Sequence, residues 1–181
     1  MTLAAEVARR VDRSWLTETL AALVRIPSVT GDEDAAQEWM ARTLTDLGGR
    51  VDVWRVDPAE LKAETRYPGA RVDSPRLNVV AGFPGGGDGP TLILNGHIDT
   101  VTAGDEQRWM RAPFGAEVVE DRLYGRGAAD MKGGLTAILG AVRAIRKAGI
   151  RLKGSVQVQS VIGEEDGGLG AFAALMRGHV G

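Results

Sequence analysis

The sequence predicts an α/β protein: a layered helix–sheet–helix domain built on a mixed, mostly parallel sheet. Three observations support this. Apolar stripes at helical spacing open the chain, and β-branched runs then alternate with further helical stripes. Gly- and Pro-rich turns punctuate those segments. Chemistry-bearing residues in three distant stretches fall just past apolar runs or at the mouth of a helix, where open α/β sheets gather their sites.

The first helix is expected around Asp12 to Arg25, where Trp15, Leu16, Leu20, Leu23 and Val24 recur at helical spacing. Ile26-Pro27 ends it, because a proline disfavours helical backbone before it. A second helix follows Ser28-Val29-Thr30-Gly31, with Asp32 as its expected cap. Its apolar stripe is Ala36, Trp39, Met40, Leu44 and Leu47, and Gly48-Gly49 stops it. Val51, Val53 and Val56 predict a strand. Residues 57 to 75 are polar, hold Pro58, Pro68 and Pro75, show no period, and read as a surface excursion.

Leu77 to Phe83 is a second strand. Residues 84 to 90 are rich in glycine, but no Gly-Lys-Ser/Thr follows, so a turn suits them better than a phosphate cradle. Thr91 to Leu94 is a short apolar strand, expected to be central and covered on both faces. Residues 116 to 124 predict a hairpin with Asp121 in its turn. Met131 to Lys147 is a helix, with Leu135, Ile138, Leu139, Val142 and Ile145 on one face and Gly149 after it. Ser155 to Ile162 is a strand, and a last helix begins near Leu169.

A chain of 181 residues is long enough for one domain with a real core. A net charge of −2 gives no basic footprint, so no nucleic-acid partner is expected. There is no cysteine, hence no disulfide framework and no thiolate metal site, which suits the cytoplasm. No apolar run approaches the roughly 20 residues of a membrane span, so no membrane partner is expected. The N-terminus lacks the apolar core of a secretory signal, and Glu6 and Asp12 argue against a transit peptide.

The informative stretches are Leu-Asn-Gly-His97-Ile-Asp99-Thr, Gly-Arg-Gly-Ala-Ala-Asp130-Met-Lys-Gly-Gly and Gly-Glu164-Glu165-Asp166-Gly-Gly. One imidazole, an aspartate and a glutamate pair are the ingredients of a metal hydrolase: ligands for the ion and a base for water. Asp99, two residues past His97, shares a side with it in an extended segment, so it can hold the second ring N–H; capping a turn at Thr100 is the alternative. Asp130 sits among glycines that let the backbone pack closely; a helix N-cap is its plain reading. Adjacent Glu164 and Glu165 point in different directions, so one can bind metal while the other serves bound water; a solvated acidic loop is the alternative. Lys132 and Arg126 are expected to be solvated or paired with acids, and His179 exposed and without function.

These motifs, together with Trp109-Met-Arg-Ala-Pro113-Phe114 and Leu123-Tyr-Gly-Arg-Gly, resemble the dinuclear zinc aminoacylase and carboxypeptidase family. Its members include acetylornithine deacetylase, succinyl-diaminopimelate desuccinylase, glutamate carboxypeptidase and aminoacylase. The resemblance runs from the first helix to the end of the chain. It implies two divalent ions, zinc first, with cobalt or manganese as chemically reasonable substitutes. His97 would bind one ion, Asp130 would bridge both, and Glu165 would bind the second. Asp99 would orient His97, Glu164 would be the general base, and the Asp130-Met131 peptide would be cis.

The resemblance also implies that residues 1 to 181 are the N-terminal portion of the metal-binding catalytic domain. The smaller dimerising lid domain, a later carboxylate ligand and a distal His ligand have no counterpart here. The expected activity of the whole parent is hydrolysis of N-acyl amino acids or related small N-acylated amines by a metal-activated water. An exopeptidase acting on short peptides is the first alternative. An inactive fragment or binding partner is the second, because two ligands per ion make a weak site. A homodimeric parent stays open.

Overall fold

The computed structural model describes every residue except 1, 63, 65, 66, 68 and 70–73. Helix α1 spans Leu3–Ala8 and α2 spans Arg13–Val24. The Asp12 side chain caps α2 by accepting from the Trp15 amide at 3.1 Å. Helix α3 spans Asp34–Asp46 and begins at Glu33, which makes no side-chain cap bond. The expected cap, Asp32, therefore lies one residue too early; Glu33 is drawn inward to a different partner, described below.

Strand β1 (Arg50–Val56) follows, then the short helix α4 (Pro58–Leu61), capped by Asp57. The excursion expected over residues 57 to 75 thus holds a short helix, and its residues 63, 65, 66, 68 and 70–73 lie outside the described residues. Strands β2 (Arg76–Phe83) and β3 (Gly89–His97) come next. The hairpin is β4 (Glu117–Val119) with β5 (Arg122–Tyr124), a small sheet of its own. A wide turn, Ala128–Lys132, leads into α5 (Gly133–Lys147). Strand β6 (Gly154–Val161) and helix α6 (Leu169–Met176) complete the order.

The main sheet runs β1-β2-β6-β3. It is mixed, as expected, but the balance differs from the sequence reading. β1–β2 and β2–β6 are antiparallel, and only β3–β6 is parallel. A second correction concerns β3, which was expected to be central. It lies at the edge of the described sheet, and Leu92 is 58% exposed. A short apolar run signals a strand but does not state its number of neighbours.

Val79, Ala81 and Phe83 of β2 register with Ser160, Val158 and Val156 of β6 and share one face. That face joins Met40 and Leu44 of α3 and Leu135, Leu139 and Val142 of α5 in the main core. On the other face Asn78 meets Gly170 of α6. Helices thus cover both faces, which makes a layered domain. No described helix is long and apolar enough to cross a membrane.

The parallel pair fixes the site. His97 ends β3 directly beside Val161, which ends β6. Whatever follows β6, here Glu164 and Glu165, must emerge next to His97.

Candidate metal centre

His97 is 5% exposed and its ring is oriented from both sides. Nδ1 lies 3.0 Å from the Asp99 carbonyl oxygen and 3.5 Å from the Asp99 carboxylate. Asp99 thus meets the ring on its Nδ1 side, with the backbone oxygen as the nearer acceptor. A ring that donates from Nδ1 leaves Nε2 as its ligand nitrogen. Nε2 points to Asp130 Oδ1 at 3.0 Å and to Glu164 Oε2 at 3.9 Å.

Asp99 is fully buried and ties the loop together. Its Oδ1 accepts from the Glu164 amide at 3.1 Å, and its Oδ2 from the Glu165 amide at 3.1 Å and the Thr30 hydroxyl at 3.2 Å. One carboxylate thus sets the imidazole and both glutamate backbones. This second role lies beyond the reach of the sequence, because the amides are sixty-odd residues away.

Asp130 stands at the wide turn with extended backbone (φ −123°, ψ 102°), and its peptide to Met131 is cis. Its side chain is 80% exposed. One ligand atom each from His97, Asp130 and Glu165 lies within 4.8 Å of the others. An imidazole nitrogen with two carboxylates is a donor set suited to zinc, cobalt or manganese.

The electrostatics follow from this crowding. Burial pulls His97 down, but the Asp99 and Asp130 carboxylates outweigh it and push the imidazole up to about 9. Burial pushes Asp99 up, but His97 and the two glutamate amides hold it below the usual carboxylate range. Glu165 is raised, first by burial, with Asp130, Asp99 and Glu164 adding to the effect. Four acids around one imidazole repel one another, and a divalent cation relieves such a cluster.

Three side chains read differently in the sequence. Lys132 is not solvated: it is fully buried, donates to the carbonyls of Leu23 and Ile26, and burial pulls its ammonium down to about 8. Arg126 stacks over the Trp109 ring, 5.1 Å from its centroid, and among the described residues no acid pairs with it. His179 is half-buried and structural: its Nε2 lies 2.9 Å from Asp52 and its ring packs on Trp54.

Sequence reasoning also missed a buried layer behind the glutamates. Arg76 Nη1 donates to Glu33 Oε1 at 2.7 Å, with side chains 2% and 0% exposed. Arg76 Nη2 would lie 3.3 Å from a Cβ placed on Gly163, at the start of the glutamate turn. Asn78 accepts from the Ile162 amide and donates to the Gly170 carbonyl, bracketing the same turn. Polar residues at the head of an apolar strand were the available signal.

Residues 93–180 match the model of peptidase family M20/M25/M40. The chain is 38% identical over 148 residues to the N-formyl-4-amino-5-aminomethyl-2-methylpyrimidine deformylase of Bacillus subtilis (strain 168), covering 81% of this chain and 31% of that protein. Human carnosine dipeptidase 1 shares the fold with a TM-score of 0.76 at 24% identity, over 98% of this chain and 38% of that one. An M20 family metallo-carboxypeptidase, Sso-CP2 from Sulfolobus solfataricus, superposes with a TM-score of 0.63 at 25% identity, over 82% of this chain and 30% of that one. The chain spans about three-tenths of the length of the curated relatives it matches. Residues 93–180 carry a peptidase M20 family domain.

Proposed function

We propose that the protein to which this chain belongs is an M20-family metal-dependent deacylase. It would hydrolyse the amide bond of N-acyl amino acids or related small N-acylated amines. The convergence of His97, Asp130 and Glu165 within 4.8 Å, with Glu164 beside the same imidazole nitrogen, carries the reading. We take residues 1 to 181 as the N-terminal portion of the catalytic domain; the much greater length of the relatives supports this.

In this reading His97, Asp130 and Glu165 would hold the divalent ions. Such ions supply Lewis-acid polarisation of an amide carbonyl and acidify a water. The chain's own residues do the rest. Asp99 keeps the Nδ1 proton of His97 in place, so Nε2 keeps its lone pair for the ion. Glu164, 56% exposed, is free to turn toward substrate, while its backbone is fixed by Asp99. It takes the proton of the attacking water and returns it to the departing amine nitrogen.

The deformylase relative favours a small acyl group on an amine. The carnosine dipeptidase and metallo-carboxypeptidase neighbours favour an exopeptidase of the same chemistry. Turnover of N-acyl amino acids and N-formyl amines, set against dipeptides, separates the two. We further place the protein in the cytoplasm, the compartment suited to a chain without cysteine.

The test is Glu164→Gln in the full-length parent. Turnover should fall by about 10²–10⁴-fold, the usual contribution of a general base, with metal content unchanged. A variant that keeps near-wild-type kcat overturns the assignment of Glu164.

A further inference from the structure

Three loops carry the metal-centre residues, and a further segment joins the two that bear His97 and Asp130. Residues 23–30 leave the end of α2 and run toward the sheet. At one end, Lys132 Nζ donates to the carbonyls of Leu23 at 3.1 Å and Ile26 at 2.7 Å. At the other end, Ser28 Oγ donates to the Ile98 carbonyl at 2.7 Å, and the Thr100 amide donates to the Ser28 carbonyl at 2.9 Å. The Thr30 amide donates to the Thr100 carbonyl at 3.0 Å, and its hydroxyl to the Asp99 carboxylate at 3.2 Å. The segment is bonded to the Asp130 turn on one side and to the His97–Thr100 loop on the other.

We propose that Lys132 is a positioning residue: its buried ammonium, bridging the carbonyls of Leu23 and Ile26, sets the distance between Asp130 and His97 and so shapes the metal centre. The inference rests on the metal-centre reading above. Its physical basis is the cost of the alternative. A fully buried ammonium is expensive, and among the described residues no carboxylate pairs with Lys132. A leucine or methionine would fill the same space without that cost. What the ammonium adds is direction. Leu23 carries one of the last carbonyls of α2, at the helix's negative end, and that oxygen also accepts from the Ile26 amide at 3.3 Å; the Ile26 carbonyl lies two residues beyond the helix. Lys132 meets that end and holds the turn that carries Asp130 two residues earlier.

Packing leaves the turn no second position. A Cβ on Gly127 would lie 2.4 Å from the Thr100 side chain and 3.4 Å from the Lys132 stem. Met131 is close-packed as well: its Cε would lie 3.1 Å from a Cβ on Gly96, the residue before His97. The Lys132 amide also donates to the Gly127 carbonyl at 2.9 Å, closing the turn on itself. The 3.0 Å contact of His97 Nε2 with Asp130 Oδ1 is the apex of a triangle with the 23–30 segment as its base.

The experiment titrates Co²⁺ alone into the metal-free full-length parent, reading affinity by calorimetry and ligand geometry by the visible absorption bands. Lys132→Met keeps the stem and removes the donors. It should weaken Co²⁺ by about 10–100-fold, as loss of an outer support of a metal ligand does, and should shift the bands. Leu139→Ala, a core change away from the tie, should lower thermal stability yet leave affinity and bands as in wild type. Thr30→Val cuts the other end of the tie, keeps Lys132, and should weaken Co²⁺ in the same direction; it decides the question if Lys132→Met does not fold. Wild-type affinity and bands in Lys132→Met, or in Thr30→Val where that variant decides, overturn the inference and leave the metal centre standing. Failure of the wild-type parent to bind Co²⁺ overturns the metal-centre reading itself, and the inference with it.

Discussion

Asp99 and Asp130 approach the same imidazole through its two nitrogens, and they are held in contrasting ways. Asp99 is fully buried, and its carboxylate oxygens accept from two amides and a hydroxyl. Asp130 is 80% exposed and makes one side-chain hydrogen bond, to the ring itself. The Asp99 side is a floor whose geometry is set by folding. The Asp130 side is a rim whose carboxylate is left open and whose backbone alone is fixed. A hydrolytic site needs both: a rigid set of ligand backbones, and acidic oxygens still accessible to an ion and a substrate. Mutations on the floor should therefore act through stability, and mutations on the rim through metal.

The largest effect is expected deepest in the floor. Arg76→Met leaves the Glu33 carboxyl buried without its cation. Breaking a buried pair from one side typically costs about 3–5 kcal/mol. Urea unfolding of the metal-free chain reads this directly, and a loss below about 1 kcal/mol would separate the pair from the floor. Glu33→Gln sharpens the same point through pH. Burial pushes Glu33 up to about 7, from 4.5, even though the Arg76 charge opposes it. Across that window the native state holds a proton that the unfolded chain has released. Stability from this group is therefore greatest at the acidic end and falls as pH rises through the window. Subtracting the Glu33→Gln profile from the wild-type profile should leave that downward slope and no slope above it.

The same contrast explains what the sequence made legible. The helices and strands were readable because their apolar residues repeat at periods of 3.6 and 2, and the candidate residues His97, Asp130 and Glu165, which the fold brings within 4.8 Å, stood out because their motifs are local. The floor was not readable. Asn78, Glu33, Arg76 and Thr30 act on partners 43 to 92 residues away, and no periodicity reports such pairings. Lys132 was misread for a related reason. A lysine beside glycines looks solvated until the end of α2 is seen to lie against it. The balance of the sheet was misjudged because strand order depends on which edges meet, and β2 enters between β1 and β6 against both.

The smallest effect on stability, and the sharpest on function, should come from the rim. Asp130→Asn preserves shape and removes one charge from an exposed side chain. Surface changes away from caps, cores and buried pairs usually stay within about 0.5 kcal/mol. The metal-free variant should therefore unfold in urea at nearly the wild-type midpoint. An amide is a poor replacement for a shared carboxylate, so Co²⁺ binding should be lost in the same sample. A variant that unfolds much earlier than wild type would show that Asp130 supports the fold as well as the ion. The division into floor and rim would then fail at its clearest point, because the exposed carboxylate would be carrying energy that its single bond to His97 does not explain.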